Sequence, residues 1–195
     1  MTSTLLRLPA TEEDVRALSA GDVVRVTGRI VTARQAALRQ LVRSDDADDA
    51  DDAALRAWAS GGAVYHCSPV VNRAGEGGAW RVVAAGPSES APLEPWTAEV
   101  LERYGARAVI GLGGMGPRTL ETLRRFGAVY LHATSELAVT LARRVTAVCG
   151  VHLLDRLGVA EAVWLLEVDD FPATVTMDAS GVSLHEKAQG SGLRA

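Results

Sequence analysis

The spacing of apolar positions changes period several times along the chain, and each change marks an element. Thr11 followed by Glu12, Glu13 and Asp14 is a helix-start signal, so residues 11–18 are expected to be helical. Residues 23–31 alternate, with Val24, Val26 and Gly28 on one side and Val23, Arg25 and Thr27 on the other, as in a half-buried strand. Residues 33–42 hold good helix formers with apolar side chains at helical spacing. Short apolar runs at 63–67 and 80–85 predict strands, with the glycine-rich residues 72–78 as a turn between them. Residues 86–95 contain three prolines and are expected to be a loop, followed by a helix over 96–104. Strand and helix then alternate: strand 107–110, a glycine loop, helix 117–126 with Pro117 at its first position, strand 128–131, helix 135–145, strand 147–152. A strongly apolar strand over 162–168 and a second segment over 173–177, beyond Phe171 and Pro172, close the series. The sum is an α/β domain.

Composition narrows the picture. At 195 residues and 48% hydrophobic, the chain makes one domain with a core that needs no staples. The expected extent is 1–187, with an acidic, flexible insertion at 44–53 and a flexible tail at 188–195. Within the insertion, residues 45–52 read DDADDADD, a run that repels itself and lacks the glycine and terminal glutamate of a calcium loop. The net charge of −4 argues against nucleic-acid binding. No apolar run is long enough to span a membrane and no leader pattern is visible, so the expected location is cytoplasmic. Lys187 is the single lysine among 20 basic residues, which removes lysine-based chemistry from consideration. Cys67 and Cys149, both in apolar surroundings, suit buried free thiols rather than a metal site.

Gly111, Gly113 and Gly116 fit the G-x-G-x-x-G spacing between a predicted strand and helix. The following strand ends in His132 rather than the acid that would hold a ribose hydroxyl. An anion site for a carboxylate, or a plain tight turn, is therefore favoured over a dinucleotide site.

Several segments in order, LPATEEDVRALSAGDVVRVTGRIVTARQAA, VYHCSP, AAGPSES, AVIGLGGM and GVAEAVWLLEVDDFPATVTMDASG, resemble the β-subunit, or C-terminal domain, of the iron–sulfur (class I) fumarases and tartrate dehydratases. The likeness covers about residues 5–183. It implies a swivelling β/β/α domain, a homodimer, and hydration or dehydration of small dicarboxylic acids. It also implies an α-type partner carrying the [4Fe–4S] cluster, with no metal site and no cofactor in this chain.

Carried over residue by residue, the resemblance keeps part of the family's site. Arg34, the carboxylate-gripping arginine, is retained, while Gln35 and Leu38 replace the family's acid and histidine. Ser68 with Pro69 stands for a G-P step. In the loop beginning Gly86-Pro87, Ser88 replaces a threonine implicated in proton transfer, Glu89 replaces a second threonine, and Pro92 replaces a second carboxylate-binding arginine. Leu112, between Gly111 and Gly113, replaces a lysine, and Gly114 follows. Substrate contacts are thus expected at Arg34, Gln35, Ser68, Gly86, Pro92, Gly111, Leu112, Gly113 and Gly114, and proton transfer at Ser88, Glu89 and His66. A carboxylate over an apolar pocket suits general acid–base work. His132 and Glu136, after a strand end, are second-rank candidates, and Glu161 is read as structural.

Two lost cations at one pole disfavour a second carboxylate on the substrate, so the expectation is a carboxylate with one apolar or neutral end. Three functions fit: a hydro-lyase half with altered specificity, a stand-alone cluster-free lyase or cyclase of secondary metabolism, or a non-catalytic ligand-binding or scaffold domain.

Overall fold

The computed structural model describes residues 3–43, 50–73, 75 and 77–186. Among the described residues, nine strands carry the fold: β1 (Thr4–Arg7), β2 (Val23–Thr32), β3 (Ala63–Tyr65), β4 (Val70–Arg73), β5 (Trp80–Ala84), β6 (Ala108–Gly111), β7 (Val129–His132), β8 (Val145–His152) and β9 (Val163–Met177). The helices are α1 (Glu12–Arg16), α2 (Gln35–Arg43), α3 (Ala50–Ala59), α4 (Glu94–Tyr104), α5 (Pro117–Phe126), α6 (Ala138–Ala142) and α7 (Leu154–Leu157).

Strands β1, β2, β3, β6 and β7 run parallel in that order. The long strand β9 runs antiparallel to β7 at one end and to β2 along most of its length, so β2, β3, β6, β7 and β9 form a closed circuit of pairings. A β4–β5 hairpin stands apart from this sheet, and β8 pairs with β9 alone. The two-residue period sorts side chains onto two cores. Ala63, Tyr65, Ala108, Ile110, Val129, Leu131, Trp164 and Leu166 enter one, with Val82 of the hairpin and Leu141 of α6. Val64, Val109, Tyr130, Val163 and Leu165 enter the other, with Leu38, Leu55, Leu101 and Leu123 from the covering helices. Strands apolar on both faces are the expected signature of a parallel sheet covered on both sides.

Gly28 shows why β2 bends. Its φ is +124°, and a Cβ there would stand 1.9 Å from the carbonyl oxygen of Leu8. The register with β9 also slips between Val26 and Gly28, a bulge that only glycine permits at this approach.

Three expectations need correction. The acidic run is not wholly irregular: residues 50–59 are α3, while 44–49 lie outside the described residues. Asp52, predicted to repel its neighbours, is buried and accepts hydrogen bonds from Tyr104 Oη and Arg56 Nε. Burial alone raises its pKa, but the Tyr104 hydroxyl and the Arg56 guanidinium outweigh this and hold the carboxyl below the usual range. Second, the glycine-rich turn is preceded by a strand, β4, that the short polar-edged run 70–73 did not announce. Third, 162–168 and 173–177 are one strand. Pro172 is tolerated because residues 169–173 lie beyond the last β8 partner, Val168, and before the first β7 partner, Thr174. The expected tail from 188 lies outside the described residues. Among the described residues no helix is long and apolar enough to cross a membrane.

Candidate active site

The C-terminal ends of parallel strands are where α/β folds, open or closed, collect ligands. Here the chain builds that edge by insertion. His66 N still donates to Ile110 O (2.9 Å), and beyond that bond the backbones after β3 and β6 separate and residues 87–90 slide between them. Ser88 N donates to His66 O (2.7 Å), Leu112 N to Ser88 O (3.1 Å) and Ser90 N to Leu112 O (3.1 Å). Cys67 pairs with Pro87, and Glu89 with Leu112. On the outer flanks Ala33 N donates to Tyr65 O and Ala133 N to Gly111 O, both at 2.9 Å. Arg34, Ser88, Glu89, Leu112 and His132 therefore follow one another along a single edge.

Arg34 leaves the end of β2 with its side chain 42% exposed. It is loosely paired with Glu161, 3.7 Å away. The other Glu161 oxygen accepts from Ala36 N (3.0 Å) at the start of α2, which accounts for the structural reading of that glutamate. Ser68 Oγ donates to Ala160 O (2.7 Å) and so ties the strand end to the same loop. Gln35 is exposed as the first residue of α2, and Pro92 is exposed in a 3₁₀ turn over Ala91–Leu93. Gly86 lies against the turn that carries Glu136: a Cβ there would approach the Ala138 methyl to 3.1 Å.

Ser88 is half-buried and Glu89 exposed, and among the described residues neither side chain has a hydrogen-bond or ionic partner. Leu112 is half-buried beside Glu89. His66 sits beneath this surface rather than on it. It is 0% exposed, with Nδ1 2.8 Å from Ser90 Oγ and Nε2 3.4 Å from Thr97 Oγ1. Burial pushes its pKa down to about 3. Cys67 is also buried. Burial pushes its thiol up to about 12, against the smaller opposing effects of the Tyr65 hydroxyl and the Arg34 charge, so it is an inert thiol rather than a nucleophile.

The glycine loop corrects another expectation. A carboxylate does occupy the start of α5, and it is the protein's own. Glu94 accepts from Gly116 N (2.7 Å), Thr119 N (2.9 Å) and Thr119 Oγ1 (2.9 Å), filling the position where a helix N-terminus would hold an external anion. Gly111 is glycine for a different reason: a Cβ there would fall 1.9 Å from Ser90 Oγ. Gly114 is covered by the His185 ring, 2.4 Å from where its Cβ would be, whereas Gly113 faces open space. His132 Nδ1 lies 3.4 Å from Gly113 O.

Sequence reasoning missed Ser90, Thr97, Tyr130 and His185. Tyr130 donates to Ser90 Oγ (2.8 Å), and the His185 ring stands edge-on to Tyr130 at 6.2 Å. Burial and then the neighbouring His132 lower the pKa of His185. The one available signal was Ser90 itself, a second serine within a loop already singled out.

A [4Fe–4S] cluster requires several thiolate ligands. The chain has two cysteines, one buried on the β3 edge and one exposed on β8. Among the described residues no three His, Cys, Asp or Glu side chains converge. These residues do not fit the cluster.

Comparisons with known proteins give the family. The family described as Fumarase C-terminus matches residues 2–188. A Geobacillus stearothermophilus protein named "Putative fumarate hydratase class I" is 44% identical over 188 residues, 96% of this chain and 34% of that protein. The "Putative L(+)-tartrate dehydratase subunit beta" of Methanocaldococcus jannaschii is 34% identical, over 91% of this chain and 88% of that one. The "L(+)-tartrate dehydratase subunit beta" of Escherichia coli is 32% identical, over 92% and 85%. The chain thus spans about a third of the first relative and most of the other two. With residues 2–188 matched by the family and two relatives more than 30% identical along most of both chains, this chain belongs to the fumarase C-terminal family.

Proposed function

We propose that this chain is the β-type part of a hydro-lyase that adds water to, or removes it from, a small carboxylic acid. The observation that carries the reading is the edge on which Arg34, Ser88, Glu89 and Leu112 stand in sequence, built by backbone pairing of residues 87–90 between β3 and β6. Arg34 grips a substrate carboxylate through charge-assisted hydrogen bonds. Ser88 and Glu89, both without a protein partner among the described residues, handle the proton at the adjacent carbon. The edge is open to solvent, as Arg34 and Glu89 show, which suits a site that a second chain closes. An α-type partner supplies that wall together with the cluster that this chain does not hold. A homodimer of the complex and a location in the cytoplasm complete the proposal.

The substrate is a carboxylate whose other end is apolar or neutral. Leu112, beside Glu89, offers no positive charge, and Pro92 lies outside on an exposed turn. A dicarboxylate therefore lacks its second clamp. Two absent charge-assisted bonds, each about 1.5–3 kcal/mol, weaken its binding roughly 10²- to 10⁴-fold.

The test is co-expression with an α-type chain, followed by calorimetry on the purified complex. Fumarate and malate are expected to bind weakly to the wild type, and Leu112→Lys with Pro92→Arg is expected to tighten both by at least about tenfold. No complex with any α-type chain, or no tightening in the double variant, would overturn the respective part of the proposal.

A further inference from the structure

His66 lies directly under the proposed proton-handling residues, yet it is wholly buried. Its surroundings settle where each proton goes. Thr97 Oγ1 donates to the carbonyl of Leu93 (2.9 Å), one turn earlier in the chain. That hydroxyl proton is then spent, so Thr97 Oγ1 can only accept from His66 Nε2. A neutral imidazole with a proton on Nε2 has a lone pair on Nδ1, which accepts from Ser90 Oγ. Ser90 Oγ, having donated, accepts from Tyr130 Oη. With the proton on Nδ1 instead, Ser90 Oγ would accept from both His66 and Tyr130, and its own proton would have no acceptor among the described residues. One arrangement places every proton: Tyr130 to Ser90 to His66 to Thr97 to the Leu93 carbonyl.

This relay joins four parts of the fold: β7 through Tyr130, the inserted segment through Ser90, the end of β3 through His66, and α4 through Thr97. It also depends on β6, because Ser90 Oγ occupies the space that a side chain on Gly111 would fill. Ser90 is two residues beyond Ser88, and the backbone of each bonds Leu112. We infer that His66 is a positioning residue, whose single tautomer, fixed between Ser90 and Thr97, keeps the Ser88–Glu89 segment wedged between β3 and β6. The inference rests on the reading of Ser88 and Glu89 as proton-handling groups only for its functional meaning; the geometry stands without it. Burial keeps the imidazole neutral at neutral pH, and its two partners then choose the tautomer. Catalytic groups need positions held to a fraction of an ångström, and a three-proline loop does not supply that by itself.

The test uses the full chain labelled with ¹⁵N and requires no turnover, so it can fail while the hydro-lyase proposal stands, and the reverse. Long-range proton–nitrogen spectra from about pH 5 to 8 are expected to show His66 neutral, protonated on Nε2 and not titrating. Amide exchange is then compared among variants. In Tyr130→Phe and Ser90→Ala, the Ser88 and Leu112 amides are expected to exchange about tenfold faster, the size of one net hydrogen bond lost, while amides where β2 pairs with β9 keep their rates. His66→Asn, whose amide oxygen can replace Nδ1, is expected to restore slow exchange relative to His66→Leu. A proton on Nδ1, titration within that pH range, uniform acceleration of all amides, or unchanged exchange at Ser88 and Leu112 would each overturn the inference. Should His66→Leu fail to fold, Tyr130→Phe, which removes one oxygen, carries the test.

Discussion

Residues 86–94 contain two serines and two glutamates, and the structure treats the members of each pair in opposite ways. Ser90 is fully buried and has hydrogen bonds to both Tyr130 and His66, whereas Ser88, two residues earlier, has no side-chain partner among the described residues. Glu94 closes the start of α5 with three hydrogen bonds, whereas Glu89 is exposed and unpaired among the same residues. On the proposed function, the difference separates scaffold from site. A polar group whose bonds are met inside the protein has nothing left for a ligand, while one brought to a shared edge and left unsatisfied is free to act. The likeness of the residue types hid this, since serine and glutamate look equally chemical in a sequence.

That contrast can be broken at its strong end first. Glu94→Ala is expected to cost about 2–4 kcal/mol in urea unfolding, because it removes a carboxylate that satisfies the first turn of α5; a loss under 0.5 kcal/mol would mean that Glu94 is no more than a surface acid. The buried relay predicts a pH effect next. Between the usual histidine pKa near 6.5 and the depressed value of about 3, the unfolded chain binds a proton at His66 and the folded chain does not. Stability is therefore lost as pH falls through this window, by up to about 1.4 kcal/mol per unit. Urea unfolding of wild type and His66→Asn at pH 5, 6 and 7 should show the wild-type slope reduced in the variant; equal slopes would contradict a neutral, buried imidazole. At the open edge, Arg34→Ala is expected to weaken binding of a carboxylate ligand to the complex by about 10–100-fold while changing fold stability by less than about 1 kcal/mol, since its pair with Glu161 is long and partly exposed. The smallest effect belongs to Glu89→Gln, where unfolding is expected to shift by no more than about 0.5 kcal/mol. A larger shift would place Glu89 among the scaffold groups with Glu94.

Much of the frame was readable because its signals are local. Thr11 caps α1 through a reciprocal bond with Asp14, at the start that Thr11 and the acids behind it signalled. Val24 and Val26 are buried on one side of β2, and Pro117 opens α5 behind Gly116. The site was legible by a different route. Arg34, Ser88 and Leu112 were picked out by resemblance, and the structure sets them on one edge, but their roles come from partners that spacing cannot report. Glu94 lies 22 residues before Gly116 in the sequence, so no window around the glycine loop contains the carboxylate that fills it. His66 reads the same whether it faces solvent or Ser90, because a short strand buried on both faces has no polar side to indicate which way a histidine turns. Asp52 looked like one acid in a repelling run until Arg56 and Tyr104 arrived beside it.

By itself the sequence determined the alternation of elements and the family, since these depend on residue types and near neighbours. The tertiary structure alone decided which polar groups are spent and which are left. Hydrogen-bond satisfaction is a property of surroundings, and at this edge the surroundings come from strands and helices up to about a hundred residues apart: Arg34 from β2, the inserted 87–90, Leu112 from β6 and Tyr130 from β7.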